Sequence, residues 1–276
     1  MWSSFEDYRD AGFAKHLENH TYVKSDDVFM ASIGASGSTL LSNLLIACGL
    51  EYVDLNRDTL GTTGVISVAG DEVSRRVRAI DTSPEAISSR RVLKTHLPAD
   101  KVPDVSRSIL LTRDPRDCLF SWFKYHQNFG NGGWEQVPDS FEQFLQNRFF
   151  MGLTPVQSWA THTRSWLQRR GTAVVRFEDL KRDAALAVAP VVADVLDVEV
   201  QPASINRAVE VSSFEAMRNR EDTLRQPKSQ RRVMRRGAVG EWREWWSDEL
   251  AAHFLSNEEL IEIATMLGYD FHESPD

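Results

Sequence analysis

Cysteine is scarce in this chain: Cys48 and Cys118 are the only two among 276 residues, and each falls inside an apolar helical pattern. That argues against a disulfide framework and for two buried thiols in a reducing cytoplasm. Long apolar runs are missing as well, none approaching the roughly 20 residues that span a bilayer. The opening MWSSFEDYRDAGFAKH lacks the basic-then-apolar order of a secretory signal. A soluble, cytoplasmic protein with no membrane span is therefore expected. An excess of positive charge is also absent, because 40 acids against 32 Lys and Arg leave a formal charge of −8. A surface built mainly to hold nucleic acid is thus not expected. There is no linker-like stretch, internal repeat or low-complexity tract, so residues 1–276 read as one domain. No metal-ligand spacing links the His, Cys and carboxylate residues, and no metal is expected.

What is present is an alternation of short apolar runs with helical patterns. Val28 to Ser32, Arg91 to Lys94, Ser108 to Thr112 and Thr172 to Arg176 are the strand candidates. Leu40, Leu41, Leu44, Leu45 and Cys48 form one helical stripe ending at Gly49. SFEQFLQNRF and PVQSWATHTRSWLQRR, between Pro138 and Arg170, read as helices, as does most of the chain after Ala184. The expected fold class is α/β, with a central parallel sheet flanked by helices. From Arg225 to Arg236, Arg225, Lys228, Arg231, Arg232, Arg235 and Arg236 occur with no acid among them. In an acidic chain that run asks for an anionic partner.

Three clusters carry chemistry. Gly34 to Thr39 (GASGST) lies between a strand and a helix, where free backbone N–H groups and the helix dipole favour an anion. Ser36, Ser38 and Thr39 add hydroxyl donors; an ordinary tight turn would account for the same residues. It is not a Walker A loop, since no Lys-Ser or Lys-Thr follows the second Gly. Lys94 to Pro98 (KTHLP) follows a strand, and a His held at a strand end can act as general base, although taken alone a His beside a Pro turn is more often structural. His16, His20, His126, His162, His253 and His272 lack a comparable setting in the sequence. Arg113-Asp114-Pro115-Arg116-Asp117 also follows a strand. Asp114 as N-cap, Pro115 in the first turn and Asp117 near the dipole explain a helix start. Arg113 is left over, and a guanidinium there suits a phosphate.

Together these segments resemble the cytosolic sulfotransferases that use 3′-phosphoadenosine 5′-phosphosulfate (PAPS). DDVFMASIGASGSTLL is similar to that family's 5′-phosphosulfate loop, VLKTHLP to its histidine-bearing strand and ILLTRDPRDCLFSWFKYH to its 3′-phosphate segment. PVQSWATHTRSWLQRRG resembles the helix before the YEDL strand end, for which VVRFEDLKRD stands, while SSFEAMRNR resembles the adenine-side segment and RRGAVGEW the terminal RKGxxGDW loop. The likeness runs from about Asp26 to Trp242. It implies a P-loop NTPase-like sulfotransferase fold, PAPS as donor, adenosine 3′,5′-bisphosphate (PAP) as product and no metal. It further implies that Ser36, Gly37, Ser38 and Thr39 cradle the 5′-phosphate and that Arg113, Ser121, Arg235, Arg236 and Gly237 hold the 3′-phosphate. Phe177, Ser212 and Phe214 would contact adenine. His96 would take the acceptor proton, with Lys94 polarising the cofactor.

Where the family has Lys or Arg before the loop Ser, this chain has Ala35, and Glu241 replaces a customary Asp. The family's short dimerisation motif is not recognisable in REWWSDEL, so the oligomeric state is left open. The alternatives are a slow or non-catalytic PAPS-binding relative, favoured by Ala35, and a P-loop kinase. Trp122 to Trp134 and Arg148 to Leu153 would build the acceptor pocket, and the acceptor is a small molecule carrying a phenol, alcohol, sugar, lipid or amine group.

Overall fold

A computed structural model describes residues 5–61, 64–67, 90–130, 138–148, 151–224 and 233–271. Five strands, β1 (Val28–Ser32), β2 (Glu51–Asp54), β5 (Arg91–Thr95), β6 (Arg107–Thr112) and β7 (Thr172–Arg176), form one sheet in the order β2-β5-β1-β6-β7. Every neighbouring pair is parallel. The short strands β3 (Thr59–Gly61) and β4 (Gly64–Ser67) pair separately as an antiparallel hairpin. The strand boundaries read from sequence hold to within a residue.

Successive strand residues face opposite sides, and both sides of this sheet are covered. Val28 and Met30 of β1 pack with Leu41, Leu44 and Leu45 of helix α2 (Ser38–Ala47) and with Val188, Val191 and Val192 further along the chain. Phe29 and Ala31 face the other way, onto Val53, Leu93 and Trp166. This two-sided burial is why the central strands read as unbroken apolar runs rather than as alternation. Trp122 and Phe123 of helix α3 (Pro115–Gly130), Phe141 and Phe144 of α4 (Phe141–Gln146), and Trp159 of α5 (Pro155–Gln168) build a third, aromatic cluster, closed by Phe254, Leu260 and Ile263.

Helix α5 starts as its sequence dictates. Thr154 and Gln157 form a reciprocal capping box and Pro155 occupies the first turn. Its two buried indoles then serve the ends of the central strands. Trp159 donates to Arg113 O at 3.3 Å and Trp166 to Leu97 O at 2.9 Å. The helix therefore fixes both strand ends that the sequence marks as chemical.

Candidate active site

All five parallel strands end on one side of the sheet, with the connection from β1 running to β2 on one side and that from its neighbour β6 running to β7 on the other, the topology at which open α/β sheets place their ligand crevice. Residues 33–37 make the turn from β1 into α2. Ala35 and Gly37 both adopt left-handed backbone, with φ of 63° and 95°. Gly37 is required for a second reason: a Cβ there would lie 2.4 Å from the Phe177 ring. No side chain caps α2 at Gly37, so the amides of Ser38 and Thr39 open a helix N-terminus suited to an anion. Ser36 is buried and contacts the Cys118 thiol at 3.4 Å, and Cys118 donates to Gly34 O at 3.2 Å. Burial pushes the Cys118 thiol up to about 12, with Cys48 at about 11, so both are inert packing thiols, as expected from the sequence.

Arg113 joins two loops. Its guanidinium donates to Ala35 O at 3.1 Å and to Ala238 O at 3.0 Å, lies 4.6 Å over the Phe177 ring and is 3.8 Å from Asp117. Its Nε is buried and makes no hydrogen bond among the described residues. Asp117, read from sequence as a helix-dipole residue, has a larger task. It accepts the amides of Gly240 at 2.7 Å and Trp242 at 2.8 Å, tying the 235–242 loop to α3. Burial raises the Asp117 carboxyl above its ordinary value, while Arg113 and these two amides oppose that rise. Glu221, in helix α6 (Phe214–Leu224), holds the loop's other end by accepting the amides of Val233 and Met234.

Within that loop, Arg235 forms a two-pronged ion pair with Glu241, and Arg236 reaches Glu241 at 3.3 Å and Glu244 at 2.7 Å. Two cations of the basic run are thus oriented by carboxylates that follow it in sequence; Arg225, Lys228, Arg231 and Arg232 lie outside the described residues. Gly237 again permits close approach, since a Cβ there would stand 2.6 Å from the Phe214 ring. Ser212 is fully buried and its hydroxyl makes no bond among the described residues. Ser121 is half-buried on α3. Arg113, the turn, Phe177, Phe214 and the 235–242 loop are linked into one assembly by these contacts.

His96 follows β5. Its Nδ1 lies 2.6 Å from Ser32 O, and because a carbonyl only accepts, Nδ1 carries the proton and the neutral ring keeps its lone pair on Nε2. Burial, then the Lys94 cation, lowers the His96 pKa to about 4 against the opposing bond to Ser32 and the charge of Asp54. Lys94 is itself held, donating to Asp54 Oδ2 at 3.0 Å across the parallel pair β2–β5. The sequence reading gave it a role toward the cofactor with no partner; the structure supplies an acidic one.

Two of the other histidines lie close to the His96 segment in the fold. His16, on helix α1 (Phe5–His20), bonds Thr95 Oγ1 at 2.8 Å, and the charge of His96 bears on both His16 and the buried His162. Helical spacing alone does not reveal this, because α1 meets β5 across 79 residues of chain. His126 is buried beside Trp122 and Phe144. Of the acceptor-side segments, residues 131–137 and 149–150 lie outside those described. No cluster of three or more His, Cys, Asp or Glu able to hold a metal occurs among the described residues, and no helix there is long and apolar enough to cross a membrane.

The fold thus brings together a parallel α/β sheet, an uncapped helix N-terminus, an arginine bridging two loops and a neutral histidine just after a strand. The sulfotransferase domain matches residues 25–257, and the chain belongs to that family of sulfuryl-transferring enzymes. Among curated relatives, sulfotransferase 1E1 of Rattus norvegicus is 28% identical over 275 residues, covering 89% of this chain and 87% of that protein. Sulfotransferase 1B1 of Mus musculus is 26% identical over 247 residues, with coverage of 80% and 77%. In fold, the chain is similar to mouse sulfotransferase SULT7A1 complexed with PAP, at TM-score 0.63, 18% identity and coverage of 95% and 96%. It is also similar to retinol dehydratase in complex with androsterone and PAP, at TM-score 0.62, 20% identity and coverage of 92% and 85%.

Proposed function

We propose that this cytoplasmic enzyme transfers the sulfuryl group of PAPS to a hydroxyl or amine of a small-molecule acceptor, releasing PAP. The observation that carries this reading is Arg113, which joins the Ala35 turn to the Ala238 loop and retains a buried, unbonded Nε. One guanidinium thereby couples two phosphate-sized grips. Gly37 against Phe177 and Gly237 against Phe214 allow the backbone close approach beside two aromatic faces, and the buried Ser212 hydroxyl offers a further donor. These residues fit a nucleotide carrying phosphate groups at both ends. Ser36, Gly37, Ser38 and Thr39 hold the 5′ end, Arg113, Ser121, Arg235, Arg236 and Gly237 the 3′-phosphate, and Phe177, Ser212 and Phe214 the base.

When bound, PAPS supplies the activated sulfuryl group. His96 accepts the acceptor's proton on Nε2 as the acceptor heteroatom bonds to sulfur and the bond from sulfur to the phosphate oxygen breaks. Above about pH 4 the ring is already in the base form, at some cost in basicity. Lys94, steadied by Asp54, keeps a positive charge beside the reacting centre, and positioning plus charge neutralisation do most of the work. Ala35 supplies no cation to the leaving phosphate oxygen, which favours slow turnover over the rates of relatives that carry one. The test is incubation of the enzyme and PAPS with pools of phenols, alcohols, sugars, lipids and amines, read by sulfate mass gain. Sulfated product in at least one pool is expected; PAP binding without transfer to any pool would favour the non-catalytic reading.

A further inference from the structure

We propose that His16, on the N-terminal helix, is a positioning residue for the general base: through the Thr95 hydroxyl it holds the backbone turn that aims His96. This rests on the reading of His96 as base. Thr95 Oγ1 accepts the Leu97 amide at 3.0 Å, so its side chain bridges the residues on either side of His96. The same oxygen lies 2.8 Å from His16 Nε2, and His16 Nδ1 lies 2.7 Å from His20 Nε2. With the bond from Nδ1 to Ser32 O, His96 is then braced through its ring and through both flanking residues. The Thr95 hydroxyl has one proton and two lone pairs. One lone pair takes the Leu97 amide and the contact with His16 occupies a second of the three directions, which together orient the Thr95 side chain toward the turn.

Helix α1 is docked in a way that fits this task. The α1 sequence, FEDYRDAGFAKHLENH, is mostly polar and charged, yet His16 is 0% and Asn19 1% exposed. Asn19 donates to Leu55 O at 2.9 Å and Asp58 O at 2.8 Å and accepts the Leu60 amide at 2.9 Å. Asn19 therefore anchors the helix to the segment after β2, whereas His16, among the described residues, hydrogen-bonds beyond its own helix to the residue before His96. Burial, with His20 and His96 as further causes, lowers the His16 pKa to about 3 against the opposing charge of Asp54. His16 is neutral under working conditions, and its effect on His96 is geometric rather than a change of charge. The charged or titratable groups that bear on His96 are Lys94, Asp54, Arg57, His16 and His162.

The experiment follows the His96 ring directly in the full chain and needs no acceptor. Histidine-labelled enzyme is followed by NMR between pH 8 and pH 6, where the fold persists, reading tautomer and the onset of protonation, as the wild type, His16→Phe, which preserves ring volume without the bond, Thr95→Val, which removes the hydroxyl, and Thr95→Ser, which restores it. Melting temperature and PAP affinity are measured alongside. In the wild type and in Thr95→Ser, His96 is expected as the Nδ1–H tautomer with a depressed pKa. In His16→Phe and Thr95→Val the tautomers should mix and the pKa should rise by about one unit or more as the ring gains solvent, with PAP affinity unchanged. If His16→Phe does not fold, Thr95→Val against Thr95→Ser makes the same comparison from the other partner. A His96 titration in either variant that superimposes on the wild type would overturn the proposal. A PAP affinity absent already in the wild type would instead refute the proposed function, leaving the His96 titration to be read independently.

Discussion

Acidification should unfold this enzyme early, and through histidines rather than carboxylates. Burial lowers His16 and His162 to about 3 and His96 and His126 to about 4, from an ordinary 6.5. Between those values the unfolded chain binds protons that the folded chain refuses, so stability falls as pH drops through 6.5 and goes on falling to about 3 or 4. Each such histidine costs about 0.8 kcal/mol at pH 6 and about 2 kcal/mol at pH 5 relative to pH 8. Four of them remove about 3 kcal/mol at pH 6 and about 8 kcal/mol at pH 5, against a total stability on the order of 5–15 kcal/mol. Asp117 and Glu178 work the other way, because burial raises their carboxyls in the folded state, and they oppose part of this loss. Melting temperature by calorimetry should fall by roughly 6 °C from pH 8 to pH 6 and collapse near pH 5. His162→Phe, which removes one buried imidazole from Trp166's neighbourhood, should flatten the profile. A melting temperature unchanged from pH 8 to pH 5.5 would refute the reasoning.

Three further outcomes follow from the phosphate grips. Arg113→Ala should weaken PAP by about 100-fold or more while changing adenosine 5′-phosphate, which lacks the 3′-phosphate, far less; calorimetric titration of both nucleotides decides it, and equal losses would contradict the assignment. Asp117→Ala strips the acceptor from the Gly240 and Trp242 amides and should cost about 2–4 kcal/mol in urea unfolding, whereas Asp117→Asn, keeping one oxygen, should cost less; equal effects would show that the paired amides are not what Asp117 serves. Ala35→Lys should raise the single-turnover rate by about tenfold or more with little change in PAPS affinity, because Lys94 is engaged by Asp54 and Arg113 by two carbonyls; an unchanged rate would mean that position 35 does not face the leaving oxygen.

The strands and the turn from β1 into α2 were legible because they are written locally. VFMAS and SILLT are apolar runs bounded by turn residues, and GASGST joins a strand to a helical stripe. Arg113 stood out as a cation that its helix start did not need. What sequence order hid was the work done between distant segments. Asp117 looked like a dipole residue until the 235–242 loop came to rest on it, 123 residues away. Arg235 and Arg236 looked like an unbalanced run because Glu241 and Glu244, their partners, follow it. His16 could not be told from an ordinary helical histidine, since only the tertiary approach of α1 to Thr95 gives it a task.

The central claim, that His96 is the base in sulfuryl transfer from PAPS, is tested most directly by comparing wild type with His96→Ala on an acceptor from the pools that the wild type sulfates. Product formation is followed by mass and PAP affinity by calorimetry, each at pH 7.5, where the fold is stable. The account predicts that His96→Ala loses transfer by about 100-fold or more while its PAP affinity stays within about twofold of wild type, since the base acts on the acceptor proton and not on the nucleotide. Wild-type turnover by His96→Ala would contradict it.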